Sequence, residues 1–145
     1  MSSPSSITFF IDRCLGSKRI VAALREAGLT VECHDDNFAP DALDVDWLPI
    51  VGGRGWIVLT KDANIDRRAL ERMAVTRSGV YLFILTSPNL SGNDMIEILM
   101  KAIVPMQNLV RKHPAPFIAN IHRDSSVEIW RDREALSEEL NQSQR

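Results

Sequence analysis

Aspartates close three short apolar runs in this chain. Asp12 follows Phe9-Phe10-Ile11, the pair Asp35-Asp36 follows Val31-Glu32-Cys33-His34, and Asp62 follows Val58-Leu59-Thr60-Lys61. Magnesium takes hard oxygen ligands, keeps several waters, and needs only one or two carboxylates beside a substrate phosphate. Such an ion acidifies a bound water and offsets charge on the phosphate, so a phosphodiester can be hydrolysed with no covalent intermediate. The carboxyl ends of strands in an open parallel sheet face one crevice, where acids distant in sequence can converge. Asp12, Asp36 and Asp62 are therefore the expected ligands of a Mg²⁺ or Mn²⁺ ion. Lys61 is placed to hold a phosphate oxygen or to orient Asp62. The plainer alternative is local: aspartate commonly ends strands and caps helices. Asp44 and Asp46, in Leu43-Asp44-Val45-Asp46-Trp47, open a short helix, where acids also favour the helix dipole.

Charge distribution fits the metal reading. Residues 32–46 hold six acids and no Lys or Arg, whereas residues 61–77 hold five bases against three acids. An acidic centre beside a basic helix suits an enzyme acting on a polyanion; two solvated surfaces of opposite sign are the alternative. Arg13, Arg67 and Arg68 could touch phosphates without reading bases, which gives salt-sensitive, weakly specific binding. The net charge of −2 supplies no overall basic field.

Other chemistries lack their residues. Gly52-Gly53-Arg54-Gly55 precedes a strand and has neither dinucleotide-fingerprint nor P-loop spacing. His34, His113 and His122 share no element, and a surface or hydrogen-bonded role is expected for His34. Cys14 and Cys33 form no zinc spacing and are read as buried thiols of a reducing cytoplasm. No apolar stretch reaches the roughly 18 residues of a membrane span, and the start lacks a signal-peptide layout, so a cytoplasmic protein without membrane contact is expected.

The elements that must position these acids are legible from pattern. At 145 residues, with 45% hydrophobic and 25% charged residues, the chain is expected to form one domain with a core spanning about residues 7–130. Strands are predicted at 7–11, 29–33, 56–60 and 80–85, and helices at 17–27, 44–51 and 65–76, the second bent or ended near Pro49. In the helix over 65–76 the pattern sends Ile65, Ala69, Leu70, Met73 and Ala74 inward and Arg67, Arg68, Arg72 and Arg77 largely outward. The longest helix, 91 to about 112, opens on Ser91 with Asp94 three residues on. Its two apolar stripes fit either a contact with a second copy or partner, or deep burial with a kink at Pro105. A C-terminal hairpin over 117–121 and 127–130 and a polar helix from 131 complete the reading. Alternation of strand and helix implies right-handed crossovers and an α/β fold, a mostly parallel sheet with helices on both faces.

Taken together, Phe-Phe-Ile-Asp-Arg-Cys-Leu-Gly, Glu-Cys-His-Asp-Asp-Asn-Phe, Asp-Val-Asp-Trp-Leu-Pro, Gly-Trp-Ile-Val-Leu-Thr-Lys-Asp and Pro-Phe-Ile-Ala-Asn-Ile resemble the PIN-like domains grouped with VapC-type toxins. The resemblance spans about residues 8–130. It implies a three-layer α/β/α fold, a Mg²⁺ or Mn²⁺ centre, and an endoribonuclease restrained by a cognate antitoxin. By position, Asp12 matches the acid ending the first strand and Asp62 the acid of the Leu-Thr-Lys-Asp segment. The acid on the intervening helix corresponds to Asp44 or Asp46, while Asp35 and Asp36 lie where related sequences often carry a polar or acidic residue. The chain departs from the pattern after its fourth strand, where typical PIN nucleases have another acid and this sequence runs Leu85-Thr86-Ser87-Pro88-Asn89. A non-catalytic PIN-like or receiver-like regulatory module is the rival expectation. A receiver would want its acid pair near the first strand and its lysine after a late one.

Overall fold

The computed structural model of the chain describes residues 7–13, 15, 18–62 and 68–143. Six strands, β1 (Thr8–Ile11), β2 (Thr30–Cys33), β3 (Ile57–Thr60), β4 (Tyr81–Leu85), β5 (Phe117–Ile121) and β6 (Val127–Arg131), form one sheet in the order β2-β1-β3-β4-β5-β6. All neighbours are parallel except the β5–β6 hairpin. The helices are α1 (Lys18–Glu26), a single turn α2 (His34–Asn37), α3 (Asp44–Gly53), α4 (Ala69–Ser78), α5 (Gly92–Lys112) and α6 (Arg133–Ser143).

Because successive side chains of a strand point to opposite faces, the apolar runs of β1 and β3 divide between two cores. Phe9, Ile11, Ile57 and Leu59 meet Ile20, Leu24, Leu99 and Met106 of α1 and α5. Phe10 and Val58 meet Trp47, Leu48 and Val51 of α3, Val75 of α4 and Leu136 of α6. Helices thus cover both faces, and the α/β/α sandwich expected from sequence is what the chain forms. The order has its reversal at β1. From there the chain crosses to β2 on one side and then to β3 on the other, so the carboxyl ends of β1 and β3 flank the crevice such a switch opens.

Several local expectations change. Pro49 does not end α3, which runs on through Gly52 and Gly53. A Cβ on Gly52 would lie 2.0 Å from the Ser78 carbonyl oxygen, so this glycine lets α3 press directly on the end of α4. The packed face of α4 also differs from the apolar pattern. Leu70 is 71% exposed, while the Arg72 side chain is only 17% exposed and grips Glu139 of α6 through Nε at 3.0 Å and Nη2 at 2.7 Å. A contact between two helices on the same face of the sheet overrode helical periodicity there. His34 is a core residue, packed among Phe10, Phe38 and Trp47. The start expected for α4 at residue 65, and Cys14, lie outside the described residues.

The capping box of α5 is present: the Asp94 N–H donates to Ser91 Oγ at 3.1 Å and the Ser91 N–H to the Asp94 carboxylate at 3.3 Å. Pro105 is accommodated inside α5, with Ile98, Leu99, Ala102 and Met106 buried and Met100 and Val104 exposed. Among the described residues no helix is long and apolar enough to cross a membrane.

Candidate active site

Asp12 sits one residue beyond β1, where its N–H still pairs with the Leu59 carbonyl of β3 at 2.9 Å. Its side chain is buried with the residue only 6% exposed. Oδ1 accepts the Arg13 N–H at 2.7 Å and Oδ2 accepts the Thr60 hydroxyl at 2.8 Å. The same Thr60 oxygen accepts the Asp62 N–H at 3.0 Å. One hydroxyl at the end of β3 therefore fixes a carboxylate from β1 and the backbone that carries Asp62. Thr60 is completely buried, and its sequence pattern marks it only as an ordinary strand residue.

The third acid comes from α3. Asp44 is half-buried in its first turn, and Trp47 Nε1 donates to its Oδ1 at 3.1 Å. Both that bond and the helix dipole favour the ionised form. Burial outweighs them: the carboxyl is pushed up to about 6, first by desolvation, then by the charges of Asp12, Glu71 and Asp62. The three aspartates thus share one electrostatic neighbourhood, and Asp46 on the exposed side of the same turn does not belong to it. Glu71, on α4, does belong, and no feature of its sequence context marks it out.

The remaining candidates are distributed around this centre. Lys61 is exposed next to Thr60. Arg68 is exposed at the start of α4 and donates to Glu71 Oε1 at 2.8 Å. Arg13 turns away from Asp12; its guanidinium donates to the Pro40 carbonyl and stands 3.9 Å from Asp35. Arg67 lies outside the described residues. Asp36 is exposed beside Cys33, whose thiol is pushed up by burial and by that neighbouring acid. Both line a groove of about 470 Å³ along α1 and β2, which also takes in Arg13 and Asp35 but none of Asp12, Asp44 and Asp62. Asn89 is exposed in a left-handed conformation with φ of 58°, a position where asparagine is favoured for backbone reasons.

A divalent ion fits the chemistry of this donor set. Asp12, Asp44 and Asp62 are hard oxygen donors, and the burial and like charge that push the Asp44 carboxyl up are what a cation would offset. Among the described residues no group of three or more His, Cys, Asp or Glu side chains is placed to hold a metal ion by itself. Magnesium does not need one, since water and phosphate complete its octahedron.

An α/β/α sandwich with an acidic crevice at its switch point is the frame into which the comparisons fall. Residues 7–87, more than half of the chain, match the PIN like domain family, and the chain belongs to that family. A protein of Mycobacterium tuberculosis (strain ATCC 25618 / H37Rv) named "Putative ribonuclease VapC45" is 29% identical over 124 residues, which is 83% of this chain and 89% of that protein. No solved structure matches the chain significantly.

Proposed function

We propose that the chain is a metal-dependent endoribonuclease and the toxin of a toxin–antitoxin pair. The observation that carries the reading is that Asp12 and Asp62, at the carboxyl ends of β1 and β3, are tied through the Thr60 hydroxyl, and that Asp44 of α3, pushed up to about 6 by burial and then by neighbouring carboxylates, feels the charge of both. The relative's printed name supports the ribonuclease and the VapC class, and the family match supports the fold.

Asp12 and Asp62 would hold a Mg²⁺ or Mn²⁺ ion, and Asp44 would complete the site or accept a proton from the attacking water. That ion, when bound, supplies charge neutralisation at the scissile phosphate and acidifies water. Thr60 keeps Asp12 and the Asp62 backbone in register through one hydroxyl. Trp47 holds Asp44 Oδ1 in a fixed direction, so the oxygen facing the crevice is preset. Lys61, Arg67 and Arg68 flank the acids along the chain, suited to backbone phosphates of an RNA strand, and Arg13 joins them from the β1 side. Asp36, in the neighbouring groove, takes a supporting part. The partner restraining such an enzyme would be a cognate antitoxin, and the protein would act in the cytoplasm.

Asp12→Asn is the direct test. Metal-stimulated cleavage of RNA by the purified chain should fall to background while circular dichroism and the unfolding profile keep their native form. Cleavage at the wild-type rate would sink the assignment. The receiver-like alternative receives no support from placement, because Asp35 and Asp36 stand beside the groove of α1 and β2 and not with Asp12.

A further inference from the structure

The groove of about 470 Å³ along α1 and β2 has no part in the chemistry assigned so far, yet it opens within one residue of Asp12, since Ile11 and Arg13 both line it. Ile11, Val21, Ala22 and Cys33 give it an apolar lining, and Arg13, Lys18, Asp35 and Asp36 add charges of both signs. Apolar lining with a few fixed polar groups is the character of a small-ligand site.

Three observations narrow what enters it. β2 is the edge of the sheet, but its Val31 carbonyl already accepts Arg25 Nε at 3.2 Å and Nη2 at 2.7 Å, and its Cys33 carbonyl accepts Asn37 Nδ2 at 2.8 Å. An extended peptide adding to that edge would have to displace both side chains. A bare anion would meet like charge from Asp35 and Asp36. Asp35, finally, is held from two sides: Arg13 Nε stands 3.9 Å from its Oδ1, and His34 Nδ1 stands 3.7 Å from the same atom. That His34 side chain is only 3% exposed and its Nδ1 has no hydrogen-bond partner, so a buried imidazole backs a carboxylate of the groove. An ionised carboxylate accepts and never donates, so it selects ligands by their N–H groups. Among RNA bases guanine alone carries two adjacent N–H donors on its Watson–Crick edge, N1–H and N2–H₂, matching the two oxygens of one carboxylate.

We propose that this groove is the subsite for a guanine nucleotide of the RNA strand next to the scissile phosphate, with the base on the apolar lining, its Watson–Crick edge read by Asp35, and its phosphate held by Lys18. Unpaired RNA bases splay from the strand and are read on that edge, whereas phosphate contacts carry no sequence information. The inference rests on the reading of the chain as a ribonuclease and adds a base preference to it.

The test compares a short fluorescein-labelled oligouridylate with the same strand carrying one central guanosine. Binding to the purified full chain is read by anisotropy in a chelator, and cleavage is read separately with Mn²⁺. The wild type should bind the guanosine strand about 10-fold more tightly, and Asp35→Asn should remove that difference while keeping the unfolding profile. Lys18→Ala should weaken both strands equally and flatten their salt dependence. Equal binding of the two strands by the wild type overturns the subsite, and so does a guanosine preference that survives Asp35→Asn. Guanosine monophosphate binding as tightly as the strand would make the groove a free-nucleotide site, which also overturns it. Binding of neither strand overturns it as well and leaves the groove to a protein partner. Selective binding without cleavage in Mn²⁺ supports base reading by Asp35 and sinks the ribonuclease reading alone. Should Asp35→Asn not fold, Asp35→Glu moves the carboxylate by one methylene and is read the same way, with an undiminished guanosine preference overturning the inference.

Discussion

Asp44 and Glu139 are both helix carboxylates at partly buried positions, and the protein treats them in opposite ways. Glu139 on α6 meets the fork of Arg72, whose hydrogen bonds and charge hold its carboxyl below the usual carboxylate range. Asp44 on α3 is desolvated by burial and feels the charges of Asp12, Glu71 and Asp62, and its carboxyl is pushed up to about 6. The seam between α4 and its neighbours is built for stability, with a glycine admitting a backbone contact at Ser78 and a two-pronged ion pair at Glu139. The crevice between β1 and β3 is built against it. Under the proposed metal reading, a cation would offset the like charges gathered there.

The sharpest way to break this contrast is Asp44→Asn. Cleavage should fall by at least about 10- to 100-fold, the range seen when even an outer-sphere metal partner is lost, while the metal-free protein becomes more stable. The sign follows from linkage. A carboxyl raised in the fold from 3.8 to about 6 keeps its proton while the unfolded chain has already ionised, so stability falls as pH rises through that window. The gain in unfolding temperature for Asp44→Asn should accordingly be full near neutral pH and vanish below about pH 4. A lower unfolding temperature at neutral pH would show that Asp44 is not a repelled charge.

At the seam, Gly52→Ala should destabilise by about 1–3 kcal/mol or more, since the added carbon meets backbone that cannot rotate away. Chemical denaturation would show it as a lower midpoint, with metal affinity of the remaining folded protein unchanged. Arg72→Ala should cost about 1 kcal/mol for a partly exposed, bidentate pair. Its pH dependence has the opposite sign to that of Asp44. Glu139 is depressed in the fold, so its contribution is present above its ordinary value of 4.5 and disappears as pH falls through the folded value. Smallest of all, Asp46→Asn should change stability by less than about 0.5 kcal/mol and leave cleavage near wild type. Equal losses for Asp46→Asn and Asp44→Asn would erase the distinction between the two acids of that turn.

The sequence by itself determined the α/β class, every strand to within about one residue, the capping box at Ser91 and Asp94, and Asp12 and Asp62 as strand-end acids. These are local properties: apolar runs of β-branched and aromatic residues, glycine stops, and carboxylates at their edges carry their own signal. Packing between helices is not local, and there the pattern misled. Leu70 had the spacing of a core residue and is exposed, whereas Arg72 had that of a surface residue and is partly buried against a helix more than sixty positions away.

Tertiary structure alone separated Asp44 from Asp46, drew Glu71 and Thr60 into the crevice, and set Asp36 in a different groove. The physical reason is the order β2-β1-β3. A single reversal at β1 decides which strand ends share a crevice, and one turn of α3 decides which of two aspartates looks into it. Neither choice leaves a trace in residue type or spacing, because both acids satisfy the same helix start equally well.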